Sequence, residues 1–247
     1  MSKAIITTKR LSAGYNGNYV LEDISIEIFE HEITVILGVS GCGKTTLLKN
    51  LIGLMKPIRG YIEILGREMT NIEEDEYNKL MKNIGVLFQG GALLNSIPLS
   101  HNVAIPLEQH TDIPPHLIDR IVRLKLSLVG LGHAYDYLPS QLSGGMRKRA
   151  ALARAIALDP AILFADEPTA GLDPVTASSL DNLLLSLREQ LGMTLVIVTH
   201  ELSSIRRVAD KIIYLDKGRV LFSGKLQSAM DSDIPELQNF FTAQNIT

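Results

Sequence analysis

A glycine-rich stretch near the N-terminus has the residue types and spacing of a phosphate-binding loop. Residues 38–45 read Gly-Val-Ser-Gly-Cys-Gly-Lys-Thr and match the pattern G-x-x-x-x-G-K-[ST]. The glycines let backbone N–H groups approach phosphate oxygens, the lysine adds a full positive charge, and the threonine hydroxyl can bind Mg²⁺. A tight turn with a solvated lysine is disfavoured because the stretch follows an apolar run and opens a helix. We expect these residues to bind a nucleotide, with Lys44 also catalytic and Thr45 on the metal: Gly38, Ser40, Gly41, Cys42, Gly43, Lys44, Thr45 and Thr46.

The single cysteine of the chain, Cys42, lies inside this loop. A helix N-terminus and the neighbouring Lys44 are two influences that lower the pKa of a thiol. The alternative, in which Cys42 is only a small residue that fills space in the loop, is favoured. In either case we expect a bound nucleotide to slow its alkylation.

Two adjacent carboxylates follow a second apolar run. Residues 162–165 read Ile-Leu-Phe-Ala and lead into Asp166 and Glu167. Successive strand side chains point to opposite faces, so the two acids cannot share one role. In phosphate-loop ATPases one such carboxylate binds Mg²⁺ and a second orients the attacking water. We assign the metal to Asp166 and the water to Glu167; without the upstream loop, two solvated acids would be an equal alternative.

A histidine ends another apolar strand, residues 194–199, at the edge where open α/β sheets bind their ligands. We expect this side chain, His200, to act in catalysis by donating a hydrogen bond to a γ-phosphate. The remaining histidines form no spacing typical of a metal site, and we assign them no role.

The elements that position these side chains follow from hydrophobic periodicity. Short, partly alternating segments between residues 4 and 29 predict a small antiparallel β lobe. Helical spacing at 45–54 and 175–190 predicts helices between apolar strands, which is the βαβ alternation of a parallel sheet. Between 93 and 157 strand signals nearly vanish and helical spacing predominates, so we expect an inserted helical lobe. The apolar strands are expected at 33–37, 162–165, 194–199, 211–215 and 219–222.

Composition sets further bounds on function. A chain of 247 residues can bury one substantial core, and its net charge of -3 argues against direct binding to nucleic acid or anionic lipid. No apolar stretch approaches the roughly 20 residues that span a bilayer, and the N-terminus has no signal-peptide pattern. With one cysteine, these features predict a cytoplasmic protein that meets a membrane only through a partner.

Residues 142–146, Leu-Ser-Gly-Gly-Met, precede a helical stretch and resemble the signature motif of ABC ATPases. Ser143 can cap that helix, whose dipole favours a phosphate, while Gly144 and Gly145 permit close backbone approach. A helix cap without further role is the weaker alternative. The resemblance spans nearly the whole chain. It aligns Tyr15 with the aromatic residue that stacks on adenine, Gln89 with a glutamine at the nucleotide and its metal, and residues 170–173, which end in Asp173, with the D-loop.

The resemblance implies a phosphate-loop NTPase fold of the ABC ATPase type, an α/β class, in one domain. A RecA-like core with the β lobe would occupy 1–92 and 158–225, a helical signature subdomain 93–157, and a tail helix 226–247. ATP and Mg²⁺ would be the cofactors, and ATP would be hydrolysed to ADP and phosphate. Two copies would pack head to tail, with ATP between Lys44 of one chain and Ser143 of the other.

One signature residue departs from the common family pattern, which ends in glutamine where this chain has Met146. Methionine cannot make the same polar contact. Together with residues 88–93 and 102–107, it resembles the MlaF-type ATPases of Mla/Mce phospholipid transport systems, which maintain outer-membrane lipid asymmetry. This resemblance implies a place on the cytoplasmic face of the bacterial inner membrane and three partners: an MlaE-like permease, an Mce-type lipid-binding protein and a STAS-domain regulator.

Two other functions stay open. An ABC importer or exporter ATPase for another solute would share every catalytic motif, because the permease selects the substrate. A soluble ABC ATPase of DNA repair or translation usually carries long coiled-coil insertions or two cassettes, and neither fits this length with one phosphate loop.

Three consecutive cations, Arg147, Lys148 and Arg149, begin the expected signature helix, where positive charge opposes the helix dipole. We expect them to form a solvated basic face rather than a docking site for a regulator.

Overall fold

The computed structural model of the chain describes residues 3–243, and the chain divides into two compact units. The first unit spans Met1–Leu80 and Thr194–Thr247, and the second spans Met81–Met193. The first unit opens with β1 (Ala4–Tyr15), β2 (Asn18–Phe29), β3 (Ile33–Gly38), α1 (Lys44–Leu51), β4 (Arg59–Ile64), β5 (Arg67–Glu68) and α2 (Glu74–Met81). The second contains β6 (Ile84–Leu87), α3 (Leu99–His110), α4 (Pro115–Leu128), α5 (Gly144–Ala155), β7 (Ile162–Asp166) and α6 (Pro174–Leu191). The chain returns to the first unit with β8 (Thr194–Val198), α7 (Leu202–Val208), β9 (Lys211–Asp216), β10 (Arg219–Lys225), α8 (Leu226–Met230) and α9 (Pro235–Ala243).

An antiparallel sheet with strand order β2-β1-β4-β5 forms one layer of the first unit. Its first hairpin turns at Asn16 and Gly17, whose φ angles of 52° and 80° are typical of the two-residue turn that matches the twist of paired strands. The register of β1 shifts between Thr8 and Leu11, beside Arg10 with φ 45°, as at a β-bulge. The predicted β lobe is confirmed, and it is completed by β4 and β5, which the sequence pattern did not indicate.

A second sheet of the first unit is built around β3. All six residues of β3 are buried, and the strand pairs in parallel with β8 on one side and β9 on the other. β10 then pairs antiparallel with β9. A parallel strand covered on both faces needs a continuous apolar, β-branched run, which explains why neither β3 nor β8 carries a charged residue. β3 leads through the glycine-rich loop into α1, as predicted.

The second unit combines a parallel strand pair with helices. β6 and β7 pair in parallel from Ile84 opposite Ile162 to Leu87 opposite Ala165. Residues 93–157, all of them described, contain α3, α4, α5 and two short 3₁₀ turns but no strand. This confirms the inserted helical segment of the expected fold class. Its bounds as a separate subdomain stay a prediction, since the compact unit that contains it spans Met81–Met193.

A buried amide orders the segment before α3. Asn102 is fully buried, and its Oδ1 accepts from the Leu94 N–H at 2.8 Å. Its Nδ2 donates to the carbonyl oxygens of Leu94, Ile97 and Pro98, each at 3.1 Å. One side chain therefore satisfies four backbone groups in a segment without regular structure.

Two helices, α8 and α9, end the described chain where a single tail helix from residue 226 was expected. Pro235 begins α9, and the residue before a proline is disfavoured in the helical region, so the chain breaks between the two helices. In the break, the Ser232 Oγ accepts from the Ile234 N–H at 3.2 Å. Residues 244–247 of the expected tail helix lie outside the described residues.

The longest of the described helices is α6, with 18 residues. Within residues 3–243 no helix has both the length and the apolar character that a membrane span requires.

We expect Asn102→Ala to lower the free energy of unfolding by about 2 kcal/mol, because it removes the partner of four backbone groups at once. Urea denaturation followed by circular dichroism measures this loss. Asn71→Ala is the matched control, since Asn71 is exposed and its Nδ2 makes one long bond of 3.4 Å to Glu68. Equal stability of the two variants would contradict the assigned role of Asn102.

Candidate nucleotide site

The phosphate loop begins where β3 approaches β9 too closely for a side chain. Gly38 has φ 151°, and a Cβ there would lie 2.1 Å from the Leu215 carbonyl oxygen. The loop is tied a second time to the turn after β9, where the Gly218 N–H donates to the Cys42 carbonyl oxygen at 3.2 Å. Gly43, with φ 107°, then starts α1. The loop path therefore depends on residues without a Cβ.

The start of α1 offers a positive end to an anion. Within the described chain no side chain caps this helix, and its first turn contains no acidic residue, so its first N–H groups and the helix dipole favour negative charge. The Lys44 Nζ donates to the carbonyl oxygens of Gly38 at 2.8 Å and Val39 at 3.1 Å. Thr45 is exposed and Thr46 is buried. The Thr45 hydroxyl is therefore the accessible one of the two.

Cys42 is buried, with 4% of its surface exposed. Burial raises the pKa of its thiol, and the nearby Lys44 charge only partly offsets that rise. The influences expected to lower this pKa are thus outweighed by desolvation. Cys42 fills space beneath the loop, since its Sγ would lie 2.7 Å from a Cβ at Gly38.

Other expected nucleotide contacts of the first unit are accessible. Tyr15 ends β1 with 47% of its surface exposed, and Ser40 and Gly41 lie exposed in the loop. His200 follows β8 and is exposed, with its Nε2 3.9 Å from a Glu201 carboxylate oxygen.

In the second unit, the two carboxylates lie where β7 ends. Asp166 is the last residue of the strand, and Glu167 follows in a left-handed conformation with φ 45°. Such a φ is uncommon for residues other than glycine. The Glu167 carbonyl oxygen accepts from the Ala170 N–H at 3.2 Å and from the Lys148 Nζ at 3.1 Å. Two donors therefore hold the backbone that carries the Glu167 side chain.

The signature segment begins α5 with the expected cap. The Ser143 Oγ accepts from the Met146 N–H at 3.2 Å, which confirms the predicted capping of this helix. Gly144 is exposed, and a Cβ at Gly145 would lie 2.5 Å from the Thr176 Cγ2. The N-terminal turn of α5 thus presents backbone rather than side chains.

Three of the sequence motifs meet at one cavity in the second unit. Gln89, Gly144 and the D-loop residues 170–172 contribute to the lining of a cavity of 220 Å³. Asp173 ends the D-loop as the N-cap of α6, where its carboxylate accepts from the N–H groups of Val175 and Thr176 at 3.1 and 3.0 Å. A hydrogen bond from the Thr176 side chain, together with these backbone donors, lowers the pKa of Asp173.

The three cations of α5 do not form a solvated basic face, and that expectation was wrong. Lys148 is 8% exposed, and its Nζ donates to the carbonyl oxygens of Gln89 at 2.5 Å and Glu167. Arg149 donates to the Val129 carbonyl at 2.9 Å and to the Ser179 hydroxyl at 2.8 Å. Only Arg147 of the three is exposed. The sequence held one signal for this: Lys148 precedes the buried Ala151 and Leu152 by three and four positions, on the same helix face.

A family profile and two kinds of known protein match the chain. The profile of the family described as ABC transporter matches residues 21–170, more than half of the sequence. The "Probable ribonucleotide transport ATP-binding protein mkl" of Mycobacterium leprae is 40% identical over 98% of this chain and 70% of its own. The "Intermembrane phospholipid transport system ATP-binding protein MlaF" of Haemophilus influenzae is 36% identical over 99% of this chain and 93% of its own.

Among solved structures, an ATP-binding cassette in a dimeric post-hydrolysis state with ADP and Pi matches with a TM-score of 0.82. It is 32% identical to this chain, and the match covers 90% of this chain and 98% of the cassette. Fold, motifs and relatives agree: the chain belongs to the ABC transporter family, as an MlaF-like ATP-binding subunit that hydrolyses ATP.

Proposed function

We propose that this subunit energises phospholipid transport by a complex of the bacterial inner membrane, of the kind that maintains lipid asymmetry in the outer membrane. The observation that carries the proposal is the relative named as an intermembrane phospholipid transport ATPase, which aligns over 93% of its own length at 36% identity. Met146 supports it through the resemblance of this position to the MlaF-type ATPases, and its backbone N–H still donates to the Ser143 cap.

In the first unit, the loop and the start of α1 bind the phosphates of ATP. The Lys44 ammonium turns from the Gly38 and Val39 carbonyls to the β- and γ-phosphates, which offer it a charged partner. The exposed ring of Tyr15 stacks on adenine. His200 donates to the γ-phosphate.

We assign Mg²⁺ to the Thr45 hydroxyl, the Gln89 side-chain oxygen and the Asp166 carboxylate. Each offers an oxygen ligand of the kind that Mg²⁺ prefers; Thr45 and Gln89 are exposed, and Asp166 is half-buried. When bound, the ion neutralises charge on the phosphates.

Glu167 orients and polarises the attacking water. A general base must be held in position to accept a proton from water, and the two hydrogen bonds to the Glu167 carbonyl supply that constraint on its backbone.

Hydrolysis takes place in a head-to-tail dimer, with ATP between Lys44 of one chain and Ser143 of the other. The N-terminal end of α5, where Ser143 and Gly144 are exposed and Gly145 is half-buried, is suited to a phosphate by its dipole and accessible backbone. The similar cassette captured as a dimer with ADP and Pi supports this arrangement. Loss of the γ-phosphate reopens the dimer and drives the permease.

Three partners follow from the phospholipid assignment. An MlaE-like permease takes up the motion of the dimer, an Mce-type protein binds the lipid, and a STAS-domain protein regulates the complex. The subunit then works peripherally on the cytoplasmic face of the inner membrane.

A second candidate function is transport of another solute. The relative named as a ribonucleotide transport ATPase is 40% identical over 98% of this chain, and cassettes for different solutes share their catalytic motifs. Its substrate would be selected by a different permease.

Purification of the tagged subunit from detergent-solubilised membranes of its native host separates the two candidates. Mass spectrometry identifies the co-purifying proteins and lipids, and membranes from an untagged strain provide the control. We expect an MlaE-like permease, an Mce-type protein and phospholipid. A permease of another class would leave ATP hydrolysis in place and overturn the phospholipid assignment.

Glu167→Gln should lower kcat for ATP hydrolysis by about a hundredfold or more, because the amide cannot accept the proton of water. ATP should still bind with a dissociation constant within about twofold of the parent, and size-exclusion chromatography with ATP should show a trapped dimer. Glu189→Gln makes the same change at an exposed glutamate of α6 and should retain activity. Near-normal hydrolysis by Glu167→Gln would remove Glu167 from its assigned role.

Lys44→Ala should weaken ATP binding or turnover by about tenfold or more, because one charge-assisted phosphate contact is lost. A fluorescent ATP analogue measures the affinity, and phosphate release measures the turnover. Lys49→Ala changes a lysine of the same helix in its last turn and should leave both quantities within about twofold.

Alkylation of Cys42 should be slow and should slow further with ATP. At nucleotide about ten times its dissociation constant, the rate should fall roughly tenfold if only the free protein reacts. Because burial raises the thiol pKa and the thiolate is the reactive form, the midpoint of the rate against pH should lie above that of an exposed cysteine. Labelling that ignores ATP would contradict the placement of Cys42 in the nucleotide site; Lys44→Ala should lose the protection.

A further inference from the structure

Lys148 is a buried charge on the signature helix. Its exposed fraction is 8%, whereas lysines are almost never buried without compensating partners, because removing an ammonium from water is costly. Burial lowers the pKa of Lys148, while the carboxylates of Glu167 and Asp166 act in the opposite direction. The desolvation cost of Lys148 must therefore be offset by the groups that its ammonium contacts.

The partners of Lys148 belong to two different motifs. Its Nζ donates to the Gln89 carbonyl oxygen at 2.5 Å and to the Glu167 carbonyl oxygen at 3.1 Å. Gln89 precedes the helical lobe and Glu167 follows β7, so one ammonium joins segments that are far apart in sequence. All three residues lie in the second unit.

The bond to Glu167 acts on a strained backbone. Glu167 has φ 45°, and non-glycine residues hold this conformation only when their surroundings enforce it. The Ala170 N–H, from the turn that follows, is the other donor to the same carbonyl. Lys148 is the long-range donor of the two, because it comes from α5.

The bond to Gln89 belongs to a wider contact between α5 and the segment 89–92. Arg154, six positions after Lys148, donates to the carbonyl oxygens of Gly91 at 2.8 Å and Ala92 at 2.7 Å. A Cβ at Gly91 would lie 3.3 Å from the Ala151 Cβ. One face of α5 thus holds this segment, and Lys148 extends the contact to Glu167.

We propose that Lys148 is a positioning residue for hydrolysis, which fixes the backbone of Glu167 and ties it to the Gln89 segment and the signature helix. It touches no reacting atom and acts through the carbonyl of Glu167. The inference rests on the role of Glu167 given under Proposed function and deepens it. Orientation of the signature helix is thereby transmitted to the residue that aligns the water.

The test compares Lys148→Met and Lys148→Arg in the tagged complex purified from native membranes. Lys148→Met should lower kcat by about tenfold or more, because a small displacement of a catalytic group is costly in rate, while KM for ATP stays within about twofold. Lys148→Arg keeps a charged donor of similar reach and should recover at least about a third of the parent kcat. Lys82→Met, which removes an exposed lysine of the same unit, should behave as the parent.

Three results would overturn the inference: a kcat within about twofold of the parent in Lys148→Met, a rise in KM with kcat unchanged, or an arginine variant no better than methionine. If Lys148→Met does not fold, as judged by its thermal transition, Lys148→Gln replaces it with the same expected loss of kcat, because glutamine is polar but uncharged and too short to reach both carbonyls. Glu167→Gln in the same complex separates the two proposals. If Glu167→Gln still hydrolyses ATP, the role assigned to Glu167 is wrong. If Glu167→Gln is inactive while Lys148→Met is active, only the role assigned to Lys148 is wrong.

Discussion

The contact between Gly38 and the Leu215 carbonyl sets the position of everything that follows in the phosphate loop. β3 and β9 are parallel neighbours, and their carboxyl ends meet at a separation that excludes a Cβ. The loop leaves the sheet at Gly38. A second bond links it to the turn after β9, where the Gly218 N–H donates to the Cys42 carbonyl oxygen. The direction of α1, and with it the direction of its N–H groups, is therefore a consequence of strand pairing in the core.

In the second unit the corresponding constraint comes from positive charge placed against backbone carbonyls. α5 begins with a serine cap and the exposed Gly144, and its inner face carries Lys148 and Arg154, which donate to the carbonyls of neighbouring segments. Hydrogen bonds from a cation to a carbonyl are stronger than neutral ones. The signature motif at the start of α5 is thus part of the same helix that orders segment 89–92.

Sequence patterns predicted the elements that are locally determined. β3 and β8 are continuous apolar runs, and the loop after β3 and the cap of α5 depend on residues a few positions apart. The strands β4 and β5 were not predicted, because β4 is short and its place depends on pairing with β1, as in Ile6 opposite Ile64. α2 was not predicted either, because it contains few apolar residues and buries only Leu80. The burial of Lys148 was missed for a similar reason: its acceptor at Gln89 lies 59 positions away.

The burial of Cys42 also bears on chemistry under oxidative stress. Peroxides attack the thiolate of accessible cysteines and convert it to sulfenic acid. Cys42 is 4% exposed, so a peroxide has little access to its sulfur, and its raised pKa disfavours the reactive thiolate. The loop can therefore carry a sulfur atom under its glycines without making ATP hydrolysis a redox-sensitive activity.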